Sequence, residues 1–362
     1  MDPTTIFCPH EHGPARGQTG QGNLGIHARK EQRCIGHECD KTFSARRGTV
    51  FYRLRTSAAT VVRVVTLLAH GCPGQAIVAA LGVDERTVAD GWARSGRPGQ
   101  AVQAFLVERP RDLGQVQADA RRVKQQGGLV WLARALMVTT RVWLGGEVRE
   151  PRARPLSRRL LERGQRWAAP RPRLLGTEGL VSSMRAMRET LRAPVHTGQG
   201  GRPRLRPWRH GLIAQGVKRD ERRRVVATDR RIVAGPPARV ATLRRRAQGD
   251  GVIKTADIER LNATFREHLA PLARRCRALA RHTLTRHEGR FVVGTVSNLC
   301  TPHASLSHTQ QTTPAMAAGI TDHGWTMPAL LSFQVPRSRW APPKRCGRPA
   351  RALQHLIKRW CS

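Results

Sequence analysis

Gln115-Val-Gln-Ala-Asp-Ala-Arg-Arg-Val-Lys124, Leu129-Val-Trp-Leu-Ala-Arg-Ala-Leu-Met-Val138 and Arg141-Val-Trp-Leu-Gly-Gly-Glu-Val148 are three apolar segments in close succession. Gln-Gln-Gly-Gly separates the first two, and Thr-Thr separates the second from the third. Strand-length runs punctuated by turn residues predict a three-stranded β-meander. The first strand carries an acid, Asp119. A carboxylate inside or beside an apolar strand costs free energy unless something compensates it, and a divalent metal is the usual compensation where phosphate is handled.

Towards the C-terminus the pattern predicts a helix over Pro155–Trp167, a short strand over Arg173–Gly176 and a helix over Leu180–Leu191. A Gly/Pro/Arg loop follows (Thr197–Arg209), then a hairpin over residues 212–233. A long helix is expected from about Ala256 towards Cys276, with Ile258, Leu261, Phe265 and Leu269 on one face. Another is expected over roughly Glu288–Leu299, and the Pro-rich stretch from 310 has little pattern. Two more acids stand beside apolar runs: Glu178, directly after the short strand, and Glu259, near the start of the long helix. Three strands, helix, strand, helix and a late helix carrying an acid is the order of an RNase H-like α/β core, a mixed sheet flanked by helices. The acids lie 59 and 81 residues apart, the second interval accommodating the hairpin.

Such a trio fits phosphoryl transfer. Two metals held ~3.5–4 Å apart activate an attacking oxygen and stabilise a leaving oxygen. Carboxylate oxygens are the ligands that suit Mg2+ or Mn2+. The plainer reading is ordinary acids salt-bridged among abundant arginines. The composition bears on the choice. Lys and Arg number 64 against 25 Asp and Glu, a net charge of +39, which calls for a polyanionic partner such as double-stranded DNA. A basic RNA-binding structural protein would explain the charge but not the placement of the acids. No apolar run approaches the ~18–20 residues of a membrane span, and no secretory signal is visible. Eight cysteines in 362 residues do not make a disulfide scaffold, so a cytoplasmic, reduced, nucleoid-associated protein is expected. No Gly-rich nucleotide loop and no nucleophile triad is present.

N-terminal to the meander, residues 98–112 read as a linker, with Pro98, Gly99, Pro110 and Arg111. Residues 57–97 read as helical and contain a helix-turn-helix over Gln75–Ser95. Ala76–Leu81 supplies its first helix, Gly82 the stop, and Asp84 the N-cap of a second helix, Glu85–Arg94. Val83, Val88 and Trp92 would pack between the helices. Arg86 and Thr87 open the second helix, placed to reach base edges in a major groove, with Arg94 on the same helix. Residues 1–45 form a Cys/His-rich module. Four ligands drawn from Cys8, His10, His12, Cys34, His37 and Cys39 would hold a structural Zn2+ in place of a hydrophobic core; Cys8, His12, Cys34 and Cys39 are the preferred set. Two Arg-Pro elements, Gly200-Gly-Arg-Pro-Arg204 and Lys344-Arg-Cys-Gly-Arg-Pro349, offer Arg202, Arg204, Arg345 and Arg348 to a narrow minor groove. A solvated basic linker is the alternative reading. His268, His282 and His287 read as surface or phosphate-contacting residues.

Gln115-Val-Gln-Ala-Asp119, Thr177-Glu178-Gly-Leu180 and Ile258-Glu259-Arg-Leu-Asn-Ala-Thr-Phe-Arg266 resemble the three acidic motifs of bacterial insertion-sequence transposases of the DDE type. The resemblance takes in the Cys/His module, the helix-turn-helix, His303-Ala-Ser-Leu-Ser307 and Thr313-Pro-Ala-Met-Ala317, and so covers nearly the whole chain. It implies binding to terminal inverted repeats, metal-dependent 3′-end cleavage and strand transfer, and a homodimeric synaptic complex. Asp119, Glu178 and Glu259 would be the metal ligands, and Arg260 and Asn262 would support the site or touch DNA. The implied domains are 1–45, 57–97, a catalytic domain over 113–307 and a basic tail over 308–362. The chain departs from the family pattern where Glu178 replaces the usual Asp, where Ala120 replaces a second acid, and where Gly13 and Gly36 stand in place of cysteines. A catalytically inactive DNA-binding remnant is the alternative.

Overall fold

The computed structural model describes residues 1–125, 128–149, 153–169, 173–177, 190, 192–195, 198, 204–207, 211–222, 224–248, 253–269, 283–307, 311–342, 347 and 349–361. The chain divides into two compact units, one of residues 59–330 and one of residues 1–58 with 331–362.

The larger unit is built on a six-stranded mixed sheet. Its strands are β4 (Gln115–Gln125), β5 (Gly128–Met137), β6 (Trp143–Arg149), β7 (Arg173–Thr177), β10 (Gly211–Glu221) and β11 (Arg224–Ala234), in the order β11-β10-β7-β4-β5-β6. The meander expected from the sequence is β4-β5-β6, antiparallel throughout. β7 lies parallel to β4, β10 parallel to β7, and β11 closes the edge antiparallel to β10. A separate two-stranded sheet joins β8 (Arg192–Val195) to β9 (Arg204–Pro207).

Alternation along the strands sorts residues onto two faces. On one face Val116, Ala120, Ala133, Ala135, Leu144 and Leu175 pack with Leu160, Leu161 and Trp167 of α4 (Ala153–Trp167). On the other, Leu132, Leu136 and Trp143 pack with Ile258, Leu261 and Phe265 of α6 (Ala256–His268) and Phe291 and Val293 of α7 (Thr283–Leu299). Leu174, Leu212 and Ala214 meet Val240 of α5 (Pro237–Gln248), a helix that the sequence pattern did not suggest.

Three helices precede the sheet: α1 (Ala58–Ala69), α2 (Gly74–Leu81) and α3 (Glu85–Leu106). Gly82 ends α2 at φ 60°, and Asp84 caps α3 by accepting from the Arg86 amide at 2.7 Å. Val88 packs with Val64, Leu68 and Ile77, and with Val83 and Trp92 at the margin.

The expected linker is instead helical. α3 runs through Pro98 to Leu106, although proline in a helix interior costs about 3 kcal/mol and each glycine about 1 kcal/mol relative to alanine. Packing outweighs those costs. A Cβ on Gly96 would lie 2.3 Å from the Glu288 Cβ, and one on Gly99 would lie 3.4 Å from the Phe291 carbonyl oxygen. The small residues let α7 approach at backbone distance. A buried polar knot then ties α3, β6 and α7 together. Asn298 accepts from the Trp143 amide at 2.8 Å and donates to its carbonyl at 2.9 Å, and Gln103 donates to the same carbonyl at 3.1 Å.

Other boundaries moved. α6 ends at His268, while residues 270–282, including His282, lie outside the described residues. α7 begins at Thr283, earlier than expected. The stretch expected over Leu180–Leu191 falls almost entirely outside the described residues. The 308–362 stretch has defined places rather than those of a tail. α8 (Pro314–Ala317) and most of α9 (Met327–Ser332) belong to the larger unit, whereas residues from 331 onwards join the N-terminal residues.

In that smaller unit, β1 (Leu24–Ala28), β2 (Arg33–Gly36) and β3 (Lys41–Ser44) form an antiparallel meander around Ile6, Cys8, Leu24, Cys34 and Phe43. The C-terminal segment returns to it and ends in α10 (Arg351–Trp360). The Val50 amide donates to the Leu331 carbonyl at 3.1 Å, Gln18 donates to the Trp360 carbonyl at 3.1 Å, and Arg359 pairs with Glu38 at 3.1 Å.

Candidate functional site

Asp119 lies in mid-β4 and, by the period of two, shares a face with Gln117 and Arg121. That face looks towards α6. The Gln117 side chain fixes the start of the helix by accepting from the Ile258 amide at 2.8 Å and donating to the Lys254 carbonyl at 2.8 Å. Nearly two turns into α6, Asn262 donates to Asp119 Oδ2 at 2.7 Å, and Arg121 donates to the same oxygen at 2.6 Å. The Asp119 side chain is 6% exposed.

Glu259 precedes Asn262 by one helical turn, so the two share a face of α6. Its carboxylate pairs with Lys218 of β10 and lies 3.4 Å from the Thr255 hydroxyl. Strand and helix therefore bring Asp119 and Glu259 to the same side of the sheet, with Asn262 tying α6 to Asp119. Glu178 lies outside the described residues. The residue before it, Thr177, pairs with Ala118 of β4 and Gln215 of β10.

A buried cation stands beneath this arrangement. Arg134 of β5 is the register partner of Asp119, donates to the Asn262 Oδ1 and stacks its guanidinium 4.5 Å from the Phe265 ring centroid. Burial drives its pKa down to about 9, against the opposing pull of the Asp119 charge. Asn262 thus bridges a buried carboxylate and a buried guanidinium. It is 2% exposed, so of the two roles expected for it, supporting the site or touching DNA, its place beside Asp119 favours the first. Arg260, its neighbour, is exposed.

Ala120 takes a different place from the one its sequence position suggested. It points to the α4 face and is packed in the core. An acid there would face away from Asp119, so its replacement by alanine removes nothing from this site. Gln117, Arg121, Arg134 and Lys218 were missed in the sequence. Arg134 carried a readable signal, a lone cation inside the apolar run Leu129–Val138. Lys218 carried none, since its role depends on the pairing of β10 with β7.

A divalent ion asks for hard oxygen donors, and Asp119 and Glu259 supply them on one face. Arg121 and Lys218 hold those oxygens now. Their side chains are 33% and 36% exposed, so each has room to swing aside. The donor chemistry of these two carboxylates is of the kind that fits a hard metal.

The other expected residues are dispersed. Arg86 is exposed in the first turn of α3, while Thr87 and Arg94 are half-buried. Arg204 is exposed on β9; Arg202, Arg345 and Arg348 lie outside the described residues. His268 and His287 are half-buried rather than on the surface: His268 stacks on His70 with centroids 5.6 Å apart, and His287 meets Phe291 edge-on at 5.3 Å. His303 is also half-buried and takes the Ser305 hydroxyl at 3.0 Å, and Ser305 in turn accepts from Arg141 at 3.3 Å.

Of the expected zinc ligands, Cys8 and Cys39 are together, with sulfurs 3.8 Å apart. Cys34 is buried with its sulfur 3.8 Å from the Met1 thioether, and His12 is exposed. His10 packs edge-on against Phe43 at 5.8 Å. Among the described residues, no three His, Cys, Asp or Glu side chains gather as a metal-binding group. No helix of the described residues is long and apolar enough to cross a membrane.

No known protein family matches the chain, and no curated protein matches it. Among solved structures, it is similar to the piggyBac transposase in a synaptic complex with hairpin DNA. That similarity has a TM-score of 0.35 at 9% identity and covers 85% of this chain and 79% of that one. A superposition this loose leaves the function of the chain to its own residues.

Proposed function

We propose that this chain is a DNA strand-transfer enzyme, a transposase of the DDE type related to those of bacterial insertion sequences. Its core would be RNase H-like, with α2 and α3 as a helix-turn-helix that binds terminal repeats. The observation that carries this reading is that Asp119 of β4 and Glu259 of α6 lie on one face of the sheet, where Asn262, one helical turn after Glu259, bonds Asp119. The strand order supports it: an antiparallel meander whose first strand is flanked by two further parallel strands is the RNase H-like arrangement, and Asp119 lies on that first strand. The net charge of +39 supports a nucleic-acid partner.

Asp119, Glu178 and Glu259 would hold Mg2+ or Mn2+, which supplies the charge that activates an attacking oxygen and stabilises a leaving one. The chain's own groups prepare that site. Arg134 orients Asn262, and Asn262 fixes the Asp119 carboxylate. Arg121 and Lys218 neutralise the two acids in the free protein and turn to backbone phosphates when DNA arrives. The exposed Arg86 and Arg260 add phosphate or base contacts, so binding weakens steeply as salt rises.

A second reading has its own support. Arg121 and Lys218 already satisfy Asp119 and Glu259, and Glu178 is one methylene longer than the family's aspartate. A chain so arranged would bind DNA without cutting it. Mn2+-dependent joining of 3′ ends by the purified full chain decides, alongside Asp119→Ala and Glu178→Asp. Joining that Asp119→Ala abolishes supports the enzyme. If neither the natural chain nor Glu178→Asp joins ends while both retard terminal-repeat DNA on a gel, the DNA-binding remnant stands. Joining that survives Asp119→Ala sinks the site assignment.

A further inference from the structure

The sulfurs of Cys8 and Cys39 are 3.8 Å apart, well beyond the ~2.05 Å of a disulfide. Zinc–thiolate bonds of ~2.3 Å directed to tetrahedral corners set neighbouring sulfurs ~3.8 Å apart. The pair therefore has the spacing of one edge of a tetrahedral thiolate site. Two glycines stand beside it. Gly36 precedes Cys39 with two residues between, the short spacing of a zinc-binding turn. Its carbonyl accepts from the Cys39 amide at 3.2 Å and the Asp40 amide at 2.8 Å, so this turn is already formed.

A Cβ on Gly36 would lie 2.8 Å from the Cys39 sulfur and 3.5 Å from the Cys8 sulfur. A Cβ on Gly13 would lie 3.6 Å from the Cys39 Cβ and 3.9 Å from its sulfur. Neither glycine has a positive φ, so the backbone at both positions accepts a side chain. The closest contact, at Gly36, is to the Cys39 sulfur, the terminal atom of a side chain, so a small adjustment makes room.

The residues present do not fit a structural zinc. Cys34 is turned into the apolar cluster, His12 is exposed, and His10 lies against Phe43. Meanwhile Ile6, Leu24, Cys34 and Phe43 give the unit an apolar centre of its own.

We propose that Cys8, Gly13, Gly36 and Cys39 are the four corners of a tetrahedral metal site of which this chain keeps two. The N-terminal unit then folds without zinc, on its apolar cluster, and two substitutions restore the site.

The full chain, purified with a reductant that does not bind metal, tests this by elemental zinc analysis and by Co2+ titration followed through thiolate-to-cobalt absorption. The natural chain should hold no stoichiometric zinc. Gly13→Cys/Gly36→Cys should hold about one zinc per chain and give the intense spectrum of tetrahedral cobalt. Gly13→Ser/Gly36→Ser, similar in size, should bind neither metal. Removing zinc with a chelator should lower the melting temperature of the double-cysteine variant and leave that of the natural chain unchanged. A natural chain that retains about one zinc overturns the proposal. So does a folded double-cysteine variant that stays metal-free. If that variant does not fold, Gly36→Cys alone decides: with three thiolates it should still bind Co2+, more weakly, and failure to do so also overturns the proposal.

Discussion

The carboxylates at Asp119 and Glu259 and the thiols at Cys8 and Cys39 are both donor pairs in a basic chain, and they are backed in opposite ways. The carboxylates rest on a polar framework. Gln117 pins the helix start, Asn262 joins Asp119 to Arg134, and Arg121 and Lys218 balance the charges. The thiols rest on hydrocarbon, against Ile6, Leu24 and Phe43. A polar framework is intolerant of a missing member, because each loss strands a buried group. An apolar cluster tolerates the loss of a ligand as long as its volume stays filled. On the readings proposed above, that contrast is why one site would need its whole framework while glycine is tolerated at two corners of the other.

The largest expected effect tests the apolar half of the comparison. Phe43→Ala should destabilise the smaller unit by about 3–5 kcal/mol, because a buried aromatic leaves a cavity that its neighbours fill only in part. Hydrogen exchange across β1–β3 would read it, since the two units need not unfold together. Added zinc should not rescue the loss. Rescue by zinc would mean that metal, not Phe43, holds the unit.

Next comes a test of which face of β4 carries the chemistry. Ala120→Asp places a carboxylate in the core against α4, and about 3 kcal/mol or more of stability should go in a urea titration, through an unpaired buried charge. End-joining should not improve. A gain in joining would show that the acid reaches the Asp119 face and would break the strand assignment.

Asn262→Ala probes the polar framework directly. It strands the Arg134 guanidinium and removes one of the two donors to Asp119 Oδ2, at a cost of about 1–3 kcal/mol. If Asn262 positions Asp119 for a metal, joining should fall about 10–100-fold, while DNA retardation on a gel stays near that of the natural chain. Equal losses of binding and joining would return Asn262 to a DNA-contacting role.

Much of this arrangement could be read in the chain, and the reasons for the rest are physical. The β4–β6 meander, the β10–β11 hairpin and the Asp84 cap were legible because each has a local cause: alternation, turn residues, a side chain that meets its own helix end. The linker expected over 98–112 was misread because glycine and proline usually mark breaks, whereas here Gly96 and Gly99 serve a close approach by α7, nearly 200 residues later. At the site, the acid on β4 and the acid on α6 stood out against their apolar surroundings. What surrounds them did not: Asn262 reaching Asp119, Arg134 behind Asn262, and Lys218 on Glu259 depend on register and on a distant strand. Ala120 was misjudged for a related reason. Its sequence neighbour is Asp119, but in a strand adjacent residues look to opposite sides.

The smallest expected effect completes the comparison on the thiol side. Cys39→Ala removes one sulfur from a half-buried position where it makes no metal bond, and nothing charged is stranded by its loss. The neighbouring Cys8 loses only a weak sulfur–sulfur contact and some dispersion. We expect a cost below about 1 kcal/mol, in the range of a small apolar truncation, and no change on adding a chelator. The same truncation in Gly13→Cys/Gly36→Cys should cost several-fold more, because there it breaks a metal-ligand set whose binding energy is also folding energy. A ratio near one between the two backgrounds would mean that Cys39 does the same work in both. The difference between a framework that needs its ligands and a cluster that has outlived them would then disappear.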